Sequence, residues 1–100
     1  MYYNVVQIIM KFVWDQRKEE INIKKHQVSF SEAQEALTCG LVVVLKEDLD
    51  HDEQRFVFLG MCKKLNVLVV VVVYPDDEVT RIISARKANK KEQKFYEAQL

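Results

Sequence analysis

Along residues 2 to 14 apolar side chains recur at every second position, with Val6, Ile8, Met10, Phe12 and Trp14 sharing one parity. That period of two predicts a half-buried strand, or two short ones. Asp15 stands where an N-cap belongs, and a charged stretch runs from it to about His26. Ile21 and Ile23 are its apolar content, so the predicted helix lies on the surface with much of its circumference in water. Ser29-Phe30-Ser31-Glu32 has capping-box spacing: the Ser29 hydroxyl accepts from the Glu32 backbone N–H while the carboxylate reaches back. Ser31 with Gln34 is an overlapping alternative. A short helix through Ala33, Ala36 and Leu37 follows, ending near Gly40.

The pattern then changes to strands. Leu41 to Leu45 and Val67 to Tyr74 are β-branched runs without polar alternation, as expected where both faces are covered. Gln54 to Leu59 puts Phe56 and Phe58 on one face and Arg55, Val57 and Leu59 on the other. Pro75-Asp76-Asp77 predicts a turn, and Val79 to Ala85 a further strand. The short connections favour antiparallel neighbours. Asn89-Lys90-Lys91-Glu92 repeats the capping-box spacing and opens a C-terminal helix with Phe95 available to dock. The predicted fold is α+β: an N-terminal strand, two helices, an antiparallel sheet of about four strands, and a helix.

Composition sharpens this in two places. One hundred residues, 49% of them apolar, make one domain, and one Pro and two Gly leave no low-complexity linker. Fifteen Lys/Arg balance fifteen Asp/Glu, but unevenly along the chain. Residues 47 to 53 are acidic, whereas Arg81, Arg86, Lys87, Lys90, Lys91 and Lys94 stand against Glu92 alone in residues 81 to 94. A locally basic end suits a phosphate backbone. Cys39 and Cys62 fit neither a CxxC motif nor a disulfide framework and read as free thiols in a reducing cytoplasm. Val67 to Tyr74 is too short to cross a bilayer, and the N-terminus lacks a secretory pattern, so a cytoplasmic protein is expected, without membrane association. The acidic stretch Asp48 to Glu53 lacks the ligand spacing and turn Gly of a hard-cation loop and reads as solvated, or as a patch that meets a basic partner segment.

Several segments, taken in order, resemble the BrnT family of toxins, related in fold to the RelE ribonucleases. They are Met10-Lys11-Phe12-Val13-Trp14-Asp15; Lys18 and Asn22; Lys25-His26 with Val28-Ser29-Phe30 and Glu32-Ala33; Arg55-Phe56 with Leu59-Gly60; Val70 to Tyr74; and Arg81-Ile82-Ile83-Ser84-Ala85-Arg86-Lys87-Ala88, with Glu92 and Tyr96 behind it. The likeness spans roughly residues 10 to 96, leaving 1 to 9 as an N-terminal extension and 10 to 100 as the toxin domain. It implies a type II toxin that cleaves RNA without a metal or cofactor and inhibits translation. It also implies a BrnA-like ribbon-helix-helix antitoxin as partner, with promoter DNA bound only by the complex, and leaves open a homodimer or a heterotetramer with antitoxin. A catalytically silent module that pairs with the antitoxin in operon autoregulation is the alternative. The chain departs from the family pattern at Gln27, usually Gly, where a left-handed backbone would cost about 1 kcal/mol. It departs again in the loop after Gly60, where Asn66 is expected to supply the turn.

RNA cleavage of this kind needs a base for the 2′-hydroxyl, cations for the phosphorane charge and an acid for the leaving 5′-oxygen. Arg81 and Arg86 are the candidates for phosphate charge, with Arg55 joining from the neighbouring strand. Lys25 and His26 come from the helix end, an imidazole suiting either proton transfer near neutral pH. Tyr96, four residues after Glu92, is a candidate proton donor or stacking ring, or else packing. Trp14 reads as core. Strict alternation places Arg81 and Arg86 on opposite faces of their strand, so they converge only if the strand ends or bulges before Arg86. The competing role for Arg86 is a salt bridge to Glu92 or the acidic loop.

Overall fold

The β-branched run from Val67 is buried on both faces through Val73 apart from half-buried Val71, so it forms the middle of the sheet. The computed structural model describes residues 11–49 and 53–100. The strand positions expected at Val6, Ile8 and Met10, the extension over 1 to 9, and Asp50, His51 and Asp52 of the acidic stretch lie outside them. In chain order the elements are β1 (Lys11–Val13), α1 (Gln16–His26), α2 (Phe30–Thr38), β2 (Val42–Asp48), β3 (Arg55–Met61), β4 (Val67–Asp76), β5 (Val79–Lys87) and α3 (Lys90–Glu97). They build a five-stranded sheet of order β1-β5-β4-β3-β2. The expected antiparallel set is β2 to β5, joined as hairpins, while β1 adds a fifth strand parallel to β5. The intervening elements provide the long connection that a parallel pair requires.

Each helix starts where its cap predicts. The Asp15 carboxylate accepts from the backbone N–H groups of Arg17 and Lys18, and Ser29 and Asn89 both complete capping boxes. Helix α1 ends on Gln27 in the left-handed conformation, φ 58° and ψ 32°. On one face of the sheet, Val28, Phe30, Ala33 and Ala36 pack on Leu68, Val70, Val72, Ile82 and Ala85. Gly60 permits this approach, since a Cβ there would run into the Ala36 carbonyl. On the other face, Tyr96 and Ala88 pack with Val57, Leu59, Val67 and Val69.

Four expectations need correction. Residues 41 to 45 are not covered on both faces: β2 is an outer strand, and Val44 is 57% exposed. Phe95 does not dock but is 44% exposed, because Tyr96 takes the inward position of α3. In the loop after Gly60 the positive φ, 64°, falls on Leu65 rather than Asn66. Strand β4 also runs on through Pro75 and Asp76, so the turn is one step later, with the Asp76 carboxylate accepting from the Glu78 N–H at 2.8 Å.

Candidate functional site

Register resolves the question of the two arginines. Val71 pairs with Ser84 but Val72 with Ile82, so Ile83 is an extra residue, a β-bulge in β5. Ile82 and Ala85, three apart, are therefore both buried beneath the helix pair. Arg81, Ser84 and Arg86, opposite Val73, Val71 and Val69, share the other face. Arg55 also pairs with Val73, so Arg55, Val73 and Arg81 form one row across β3, β4 and β5. Arg55 is thus two strands from Arg81, not on the neighbouring one as expected. Arg86 lies on the same face about 13 Å further along the sheet, the four-residue span on β4 from Val73 to Val69 at about 3.3 Å each.

The three guanidinium groups differ in what they touch. Arg86 forms a two-pronged pair with Glu92, 2.9 Å from Nη1 to Oε1 and 2.9 Å from Nη2 to Oε2, and Nη1 also donates to the Lys87 carbonyl. The hydrogen bonds from Arg86 hold the Glu92 carboxyl below its ordinary range, and those to Glu92 hold the guanidinium more firmly charged. Arg81 is exposed and Arg55 half-buried, and neither has an ion pair among the described residues. The Arg55 Nε is buried with no hydrogen-bond partner there.

A cleft of about 340 Å³ opens beside Arg81, lined by Val13, Trp14, Asp15, Lys18, Ile82 and Ile83. It forms because β1 ends at Val13 and α1 departs from the sheet just beyond. Past that point the edge of β5 has no strand partner among the described residues, and the side chain of Asn22 in α1 bonds to the β5 backbone instead. Its side-chain amide accepts from the Ala85 N–H at 3.1 Å and donates to the Ala85 carbonyl at 2.8 Å and the Val28 carbonyl at 2.9 Å. Helix α1 consequently runs along β5, from Lys18 beside Ile82 and Ile83 to Asn22 at Ala85. Lys25 and His26 follow in its last turn, Lys25 exposed and His26 half-buried, about 10 Å along the axis from Lys18. Trp14 packs edge-on against Phe30 at 6.1 Å while lining the cleft. Tyr96 is 2% exposed, and its hydroxyl donates to the Leu41 carbonyl at 2.8 Å. The structure therefore brings together Arg55 and Arg81, puts Arg86 on their face but in an ion pair, sets Lys25 and His26 at the far end of α1, and places Tyr96 in the core.

Lys18 and Asn22 entered the sequence reading only through the resemblance. A signal for Asn22 was available: Glu19, Asn22 and His26 form a polar stripe where an inward-facing helix normally carries apolar residues. Glu19 and Asn22 are indeed the buried residues of α1, the Glu19 carboxylate accepting from the Phe30 N–H at 2.8 Å. No helix among the described residues is long and apolar enough to cross a membrane.

Comparison with known proteins agrees with this architecture. No curated protein matches the chain. The crystal structure of the Brucella abortus ribonuclease toxin BrnT superposes with a TM-score of 0.64 at 26% identity, covering 81% of this chain and 99% of that one. The family model for the ribonuclease toxin BrnT of type II toxin-antitoxin systems matches residues 14–92. With the helix pair, strands β2 to β5 and both Arg55 and Arg81 inside that span, this chain belongs to the BrnT family of type II ribonuclease toxins.

Proposed function

We propose that this chain is an endoribonuclease that cleaves RNA without a metal, stops translation by doing so, and is neutralised by a BrnA-like ribbon-helix-helix antitoxin. The observation that carries the reading is the bulge at Ile83, which sets Arg81 on the same face as Arg55 with neither guanidinium paired among the described residues. Two unpaired guanidinium groups in one row suit a phosphate whose charge grows in the transition state. Lys18 lines the cleft beside Arg81 and adds a third cation.

The reaction transfers the 2′-hydroxyl proton to a base as its oxygen attacks phosphorus, and a proton reaches the departing 5′-oxygen. His26 and Lys25, the sequence candidates for these transfers, stand about 10 Å along α1 from Lys18. An RNA strand that enters at Arg81 and Lys18 and runs along the seam between α1 and β5 therefore meets them beyond the phosphate that the arginines hold. Arg86, held by Glu92, bounds the same face. Tyr96 in this reading supports the fold. Two of the six sequence candidates, Arg86 and Tyr96, are already bonded within the protein, which favours the catalytically silent, antitoxin-pairing alternative as the second reading.

Incubating purified protein with RNA in EDTA distinguishes the two. Cleavage by the wild type, reduced at least about 100-fold in Arg81→Ala, supports the enzyme. Intact RNA, with unimpaired growth on expression without antitoxin, supports the silent module.

A further inference from the structure

On the face covered by α1 and α2, the part of the sheet formed by β2, β3 and the end of β4 carries an apolar strip. Val44 pairs with Phe58, and Phe56 with Val72. The Phe56 and Phe58 rings stack at 6.3 Å with 8° between their planes, and Phe56 meets Tyr74 edge-on at 5.2 Å. Val44 is 57% and Tyr74 40% exposed, while both phenylalanines are half-buried. Adjoining apolar side chains in water at a sheet margin mark an interaction surface.

The rim of the strip is acidic. Glu47, exposed, stands opposite Phe56, and Asp76, Asp77 and Glu78 are exposed just beyond Tyr74. Lys46 is the only Lys or Arg between Leu41 and Gln54. A polyanion is repelled here. A second copy in a two-fold contact would set one acidic rim against another, and the register shift between Val44 and Lys46 interrupts the outer edge that strand-to-strand pairing would use.

From this complementarity we infer that the strip is the docking surface of the antitoxin, which meets it with an apolar segment flanked by Lys and Arg. The choice of occupant rests on the toxin–antitoxin reading above. The strip and the Arg55–Arg81 row lie on opposite faces, so substitutions separate the two roles.

The probe is the antitoxin encoded in the same operon, titrated calorimetrically into the full chain. Val44→Lys, and separately Glu47→Lys combined with Asp77→Lys, each weaken binding about tenfold or more. The charge reversal also flattens the salt dependence of the wild-type affinity. Both variants keep wild-type thermal unfolding and RNA cleavage, and Arg81→Ala binds the antitoxin normally. Wild-type affinity in both variants overturns the proposal, as does a wild type that binds no antitoxin. So does loss of RNA binding in place of antitoxin binding, or dissociation of a dimer with antitoxin affinity kept. If wild-type protein leaves RNA intact while the variants still lose the antitoxin, the ribonuclease reading falls and the docking surface stands.

Discussion

Tyr96 and Arg86 are the two candidates whose polar atoms already have partners inside the fold, and each yields a measurable consequence. The Tyr96 hydroxyl reaches across the sheet face to the Leu41 carbonyl, tying α3 to the start of β2. Tyr96→Phe leaves that carbonyl without its donor and lowers stability by about 1 kcal/mol in urea denaturation, with RNA cleavage unchanged. Loss of cleavage at unchanged stability would return Tyr96 to the active site. Glu92 accepts from Arg86 and from the Asn89 backbone, so its carboxyl titrates below the ordinary range. A depressed native pKa means the contribution is complete above the unfolded value, about 4.3, and is lost as pH falls through the lower native one. The stability difference between wild type and Glu92→Gln is therefore constant near neutral pH and shrinks on acidification below about pH 4.3. Denaturation series over that range check it, and a difference independent of pH would show that the pair does not couple to folding.

Among the elements, β5 and α1 determine the site together. The bulge at Ile83 turns Arg81 to the face of Arg55, and the Asn22 amide grips the backbone two residues later at Ala85. Asn22→Ala leaves the Ala85 N–H and carbonyl and the Val28 carbonyl without those partners in a buried setting. A destabilisation of about 2–3 kcal/mol follows, read from urea midpoints. Because the same contact holds the strand beside the bulge, cleavage per folded molecule falls as well, and retention of full turnover would mean that the bulge holds itself. The caps at Asp15, Ser29 and Asn89 were legible in the chain because capping is a contact between residues two or three apart. The left-handed end at Gln27 was legible for a different reason, through the family pattern, which usually has Gly there. The bulge was not: it depends on which residue of β4 each residue of β5 faces.

At the scale of the whole molecule, a formal net charge of zero conceals a division of charge between surfaces. Arg55 and Arg81 share one face, while the aromatic strip lies on the other behind an acidic rim. RNA affinity should consequently fall linearly in log–log form with salt, with a slope of about −0.7 for each phosphate contact. Arg81→Ala reduces the magnitude of that slope by about one contact, and an unchanged slope would place the RNA elsewhere. The amino-acid sequence by itself determined the α+β order, the helix starts, the covered strand from Val67, though not that Tyr74 at its predicted end is 40% exposed, and the family, since these follow from periodicity, caps and motif spacing. Only the tertiary structure decided that β1 joins β5 in parallel, that Tyr96 rather than Phe95 turns inward, and that Arg86 belongs to Glu92. It alone set Arg81 and Arg55 in one row. The physical reason is that strand register and edge position are relations between distant segments: alternation within one strand says which residues share a face, but a single inserted residue reverses the assignment, and only the partner strand shows where it lies.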